Sequence, residues 1–322
     1  MLKIAIILFS FTLPIFGQAT KTKPVKKKWP SRFVGKPIYK MESSKKDGKF
    51  LYESTYFTFS SDVEIPEKTI LKFASNADSV PSILSRLPLN LMSLPKQADD
   101  SKPVIHIFTD EDAFIRVGGS KQAAGLYSSR HKSVYLRHES FIKDERPNYT
   151  LLTHELTHLC MHGVMQNTRP WFNEGNAEYF SIALESNRRY NFSNIAGQIP
   201  KDTKRYLSPD TKVFQLPSLK TLLSRDNHEW RRVNKTLPIE ERYIPYQASV
   251  ILIHYFYHLD KKGKDKVAAY LEKSAEEKHP DEAQKELFPK GIDVELPIIE
   301  KGLEKYWAKK GLKIKFGDQA SQ

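Results

Sequence analysis

The hydrophobic positions of the chain change period near residue 147. Upstream of it, apolar residues come in short β-rich runs between turns. "LYESTYFTFSSD" (51–62) nearly alternates aromatic and polar residues and predicts a strand. Ile70, Phe73, Ala77 and Val80 recur at helical spacing within 65–87, with Pro66 near the start and Pro81 expected to end or kink the helix. "PVIHIFTD" (103–110) predicts a second strand. Glycine-punctuated turns then lead to a last strand in "SVYLRH" (133–138). Residues 50–146 read as a mixed α/β unit.

Downstream, the repeat becomes helical. Pro147 suits a first helical turn and Gly163 the residue just past a last one. Leu152, Leu156 and Leu159 form one stripe of that helix, with His154 and His158 on a different face. Pro170 opens a second helix in "RPWFNEGNAEYFSIALES", and Pro245 a third in "PYQASVILIHYFYHL". Residues 147–190 thus form a helix pair, and 191–322 a mainly helical C-terminal part broken at "EKHPDEA" and "FPKGIDVELP". The expected fold class is α+β. A small N-terminal mixed sheet with helices packs on the helical part, leaving a cleft between them.

The N-terminal 19 residues change the picture of where this domain begins. Lys3, an apolar run from Ile4 to Leu13, then Gly17 and Ala19 have the layout of a secretory signal peptide, cleaved after Ala19. The mature protein is therefore expected outside the cytoplasm, secreted or periplasmic. Residues 20–49 include "KTKPVKKKWP" (21–30), whose five lysines predict a basic, flexible linker able to touch anionic membrane or cell-wall surfaces weakly. The formal charge of +13 does not extend to nucleic-acid binding, since no recognition motif accompanies it. With one cysteine, Cys160, no intramolecular disulfide is possible, so stability must come from a packed core.

The candidate chemistry lies in "LLTHELTHLC" (151–160). Residues four apart on a helix project side by side, so His154 and His158 can offer two nitrogens to one zinc ion. Glu155, turned about a hundred degrees from His154, can reach a water on the metal without being a ligand. The bland alternative is a hydrogen-bonded pair of core histidines. Zinc needs a third protein ligand, and "NEGNAE" supplies Glu174 and Glu178 one turn apart on one face of the next helix. Gly175, Asn176 and Ala177 are small enough for a close helix crossing. Acids that open an otherwise apolar helix are costly to bury unless paired or metal-bound.

"THELTH" followed by "WFNEGNAEYF" resembles the gluzincin zinc metallopeptidases, which include thermolysin-like enzymes and zinc aminopeptidases. The likeness is closest to exported bacterial peptidase MA-like proteins of unassigned function. It is specific over 147–186 and diffuse over about 50–260. The resemblance implies a zincin-like domain, with Zn2+ on His154, His158 and Glu174, and Glu178 orienting a zinc-bound histidine. The interval from His158 to Glu174 is shorter than in the thermolysin and aminopeptidase branches, so either glutamate remains open as third ligand. "YQASVILIHYF" resembles the aminopeptidase helix whose leading tyrosine serves the oxyanion, here Tyr246; packing is the other reading of that residue. His162 continues the histidine stripe but lacks the metzincin surroundings and is expected to be a neighbour of the site.

No G-x-M-E-N run precedes the zinc helix, so the amine anchor of the aminopeptidases is missing. "AAGLYSSRHKSVYLRHE" stands in its place and looks like an edge strand able to pair with an extended peptide, with Glu139 as an unsupported amine anchor. The expected activity is endopeptidase hydrolysis of a peptide or protein substrate. The rival reading is a non-catalytic cell-envelope binding module that keeps the fold, against which an intact Glu155 counts.

Overall fold

The computed structural model describes residues 28–317 apart from 98, 122, 144–145, 239–240 and 277–279. The expected signal peptide, 1–19, lies outside the described residues. Strands β1 (Arg32–Val34), β2 (Glu42–Lys46), β3 (Lys49–Glu53) and β4 (Thr58–Ser61) precede helix α1 (Glu67–Leu84). Then come β5 (Val104–Phe108), α2 (Glu111–Arg116), β6 (Gly125–Ser128), β7 (Ser133–Arg137) and α3 (His138–Phe141). The short strands β8 (Ile142–Lys143) and β9 (Arg146–Pro147) lead into α4 (Tyr149–Cys160), α5 (His162–Met165) and α6 (Pro170–Ala183). Beyond them lie β10 (Leu184–Ser186), β11 (Arg189–Asn191), α7 (Ile195–Thr203), β12 (Phe214–Leu216), α8 (Leu219–Ser224) and α9 (Asn227–Thr236). Helix α10 (Ile244–His254) runs into a π-helical turn (Tyr255–Leu259), followed by α11 (Gly263–Glu276), α12 (Pro280–Gln284), α13 (Ile292–Lys309) and β13 (Ile314–Phe316).

The architecture is α+β. Six strands form one mixed sheet in the order β2-β3-β4-β5-β7-β6, with β5 parallel to both its neighbours and the other pairs antiparallel. Phe59, Ile105 and Val134 lie in register across it, as do Ile107 and Leu136, and all are fully buried. Helices α1 and α4 pack together beneath the sheet, and α6 packs between α4 and α10. One continuous core joins the sheet to the helices. Two smaller sheets, β1-β11-β10 and the parallel pair β12-β13, sit among the helices of the C-terminal part.

Three local expectations are corrected. The segment 51–62 is not one strand but the arms of a hairpin. The buried carboxylate of Asp78 in α1 accepts from the Ser54 hydroxyl at 2.7 Å and the Thr55 N–H at 3.0 Å, which fixes the turn. Pro147 ends β9 instead of opening the helix; Asn148 caps α4, its side chain accepting from the Leu151 N–H at 3.0 Å. Gly163 lies within α5, where a Cβ would collide with Ser93 Oγ, so it serves a close approach and not a helix stop.

The linker expected over 20–49 is folded in its described part. β1 pairs with β11 across the chain, and Phe33 is buried there. Trp29 inserts among aromatic rings, its centroid 4.5 Å from that of Tyr257 on the π-helical turn. β2 is an edge strand exposed at every position, so its lysines stay in water while its backbone pairs with β3. High charge keeps side chains solvated; it does not prevent an edge strand.

Candidate metal centre

Helix α4 is buried on nearly all sides, so its polar residues need partners within the fold. His154 and His158 face α6, with ring centroids 4.9 Å apart. Their Nε2 atoms are 3.2 Å from each other. Glu174 Oε2 completes a triangle, 3.5 Å from His154 Nε2 and 3.2 Å from His158 Nε2. Glu178, one turn along α6, is not in that triangle: its Oε1 lies 3.3 Å from His154 Nδ1, at the other edge of the ring. Among the described residues this is the one group of three or more His, Cys, Asp or Glu side chains with ligand atoms close enough to share a metal ion.

The donor set fits zinc in two respects. Bonds of about 2.0–2.1 Å to a tetrahedral centre put ligand atoms about 3.3 Å apart, close to the three observed edges. Tautomers give the second. If Nδ1 of His154 donates to Glu178, the neutral ring turns a lone pair at Nε2 toward the carboxylate of Glu174. Two acceptors facing each other require a positive charge between them, either a proton or a cation. The electrostatics of the cluster reflect the same demand. Burial opposes protonation of His154, yet hydrogen bonds to Glu174 and Glu178 hold its pKa well above the usual imidazole range. Burial likewise opposes ionisation of Glu174, but the charge of His158 and bonds to both imidazoles hold its carboxyl well below the usual range.

Glu155 is not one of the three, although its carboxylate feels the charge of all of them. It is buried beneath the sheet edge, and burial raises its pKa, partly offset by the two histidines. A backbone hydrogen bond with Tyr127 on β6 holds its carboxylate. The backbone of β6 is close enough that a Cβ at Gly125 would lie 3.3 Å from Glu155 Cγ and 3.0 Å from Leu136 Cδ2. β6 is the edge strand of the sheet. Arg137 N–H bonds to the Ala124 carbonyl, which sets the alternation of the antiparallel ladder and turns the N–H and C=O of Gly125 and Tyr127 to the free edge.

Tyr246 opens α10 with its ring tilted against His154, centroids 6.5 Å apart. Its hydroxyl accepts from Asn234 Nδ2 at 3.1 Å. Burial first, then the charge of Glu174, raises its pKa far enough that it keeps its proton. α6 and α10 cross closely because residue 175 is glycine: a Cβ there would lie 2.7 Å from the Ser249 carbonyl oxygen. His162 stands outside the triangle, its Nδ1 hydrogen-bonded to the Tyr127 hydroxyl. Glu139 pairs with Arg137 at the surface, and His258 bonds to the Tyr179 hydroxyl at 2.7 Å, both away from the cluster.

Sequence reasoning missed Tyr127 and Gly125. Tyr127 stacks on His158 at 22° and bonds both Glu155 and His162, so it touches three residues of the motif region. The only sequence signal was their alternate position on a short edge strand. No protein-family model matches the chain, and no curated protein matches it.

Proposed function

We propose that this protein is a zinc-dependent peptidase of zincin-like fold and gluzincin type, acting on peptides or proteins as an endopeptidase. The triangle of His154 Nε2, His158 Nε2 and Glu174 Oε2, with Glu178 behind His154, is the observation that carries the reading. Zinc bound there supplies Lewis acidity, which polarises a scissile carbonyl and acidifies a water. The remaining roles belong to the chain. Glu178 fixes the tautomer and orientation of His154. Glu155 takes the proton of the attacking water on its carboxylate and passes it to the leaving amine. Its raised proton affinity suits the second half of that task. Tyr246, which keeps its proton, donates to the developing oxyanion. The free-edge groups of Gly125 and the carbonyl of Tyr127 pair with an extended substrate backbone beside Glu155.

An intact Glu155 favours catalysis over a binding module that merely keeps the fold. Export belongs to the same proposal, supported by the apolar run and small residues of 1–19. Among the described residues no helix is long and apolar enough to cross a membrane. The test is elemental analysis of the purified protein followed by digestion of a broad peptide library. One zinc per chain with cleavage is expected. A protein that takes up no transition metal after reconstitution excludes the reading, and a zinc-loaded protein inert to the library favours the binding module.

A further inference from the structure

The outer face of α13 has a composition that the metal centre does not explain. Val294, Pro297, Ile298, Lys301, Lys305 and Lys309 follow one another along one face of the helix, mostly at spacings of three and four residues. All six are exposed. Ile298 is 69% exposed and Val294 57%, the largest value for any isoleucine and one of the two largest for valine among the described residues. Two bare aliphatic side chains one turn apart, continued by a lysine on each following turn, form an apolar and cationic stripe.

The four acids of the same helix are all engaged. Asp293 pairs with Lys220 at 2.8 Å. Glu295 takes Lys266 at 3.5 Å and the Lys290 N–H at 2.7 Å. Glu300 accepts from the Leu219 N–H at 2.6 Å, and Glu304 from the Phe316 N–H at 3.0 Å with Lys315 at 3.4 Å. Among the described residues, Lys301, Lys305 and Lys309 form no salt bridge. Their charge is therefore not neutralised by an ion pair among the described residues.

We propose that this stripe of α13 is a docking face for an anionic lipid bilayer. Lysines one turn apart match a plane of phosphate headgroups, while Val294 and Ile298 enter the acyl boundary beneath it. The long lysine stems lie along the apolar surface and carry their ammonium groups to the headgroups. A soluble polyanion would use the lysines but leave the aliphatic pair in water, so the aliphatics favour a bilayer over a polymer. The helix lies in the interface and does not cross it, in keeping with its charge. This inference does not depend on the metal site.

The test is co-sedimentation of the full chain with phosphatidylcholine vesicles, with and without phosphatidylglycerol. Binding that requires the anionic lipid is expected. Replacing Lys301, Lys305 and Lys309 by Gln should weaken it about a hundredfold, from roughly fivefold per lysine. Val294→Ser with Ile298→Ser should weaken it by roughly tenfold or more while leaving the charge intact. The stripe is exposed, so both variants should keep the wild-type unfolding temperature. Three findings would each overturn the proposal. The serine variant binds vesicles as the wild type does; three exposed lysines exchanged in the N-terminal part, at Lys40, Lys46 and Lys68, weaken binding as much; or binding survives the α13 changes and disappears when residues 21–27 are removed. Loss of a dimer in the serine variant, with vesicle binding unchanged, would overturn it in favour of a second copy of the chain.

Discussion

Glu178 Oε1 lies 3.3 Å from Nδ1 of His154, on the edge of the ring opposite the one that faces Glu174. The two glutamates of α6 are thereby given different tasks by a single imidazole. Glu174→Ala, His154→Ala and His158→Ala should each strip zinc, because two remaining ligands make a poor site. Glu178→Ala should keep the metal with affinity lowered about 10–100-fold. Zinc titration against a chelator of known affinity measures all four. If only the Glu178 change removes the metal, the roles of the two glutamates must be exchanged.

Glu155→Gln keeps the shape of the side chain and removes the base. Zinc occupancy should stay complete, since Glu155 is not among the grouped ligand atoms. Peptide hydrolysis should fall by about a hundredfold or more, the scale of general acid–base catalysis. Turnover at the wild-type rate would remove Glu155 from the mechanism.

Gly175→Ala tests the helix crossing that brings the acids to the histidines. The added methyl would stand 2.7 Å from Ser249 O and Ile253 Cγ1, so α6 and α10 must separate. A loss of about 1–3 kcal/mol in stability is expected from such overpacking. Zinc affinity should fall with it, because α6 carries Glu174. Urea denaturation and zinc titration on the same preparation check both; an unchanged midpoint would contradict the tight crossing.

His254 sets an expected acid sensitivity. Burial first, then the charges of His258 and Lys310, push its pKa down to about 3, against 6.5 for a free imidazole. Between those values the unfolded chain binds a proton that the folded chain refuses. The contribution of His254 to stability is therefore full above about pH 6.5 and is lost as the pH falls toward 3. His254→Leu should flatten the fall of Tm with pH over the upper part of that window. Thermal unfolding at a series of pH values tests it, and an unchanged slope would exclude His254 as the source.

The sequence by itself determined what depends on neighbours along one element. A helix places residues four apart side by side, so His154 and His158 were bound to face together once α4 formed. The same local rule located α6 behind Pro170 and α10 at Pro245, and the α+β class followed from the change of period near 147. Tertiary structure decided what depends on the distance between elements. Whether Glu174 or Glu178 meets Nε2 depends on how α6 rotates against α4, and no spacing within either helix contains that angle. Tyr127 reaches His158 because β6 is the edge strand beside α4, a fact of sheet order. The hairpin at 51–62 depends on Asp78 in α1, and β1 finds its partner only in β11, from a distant part of the chain. Propensity and charge describe a segment alone, while these outcomes were set by which buried groups needed partners and where packing could provide them.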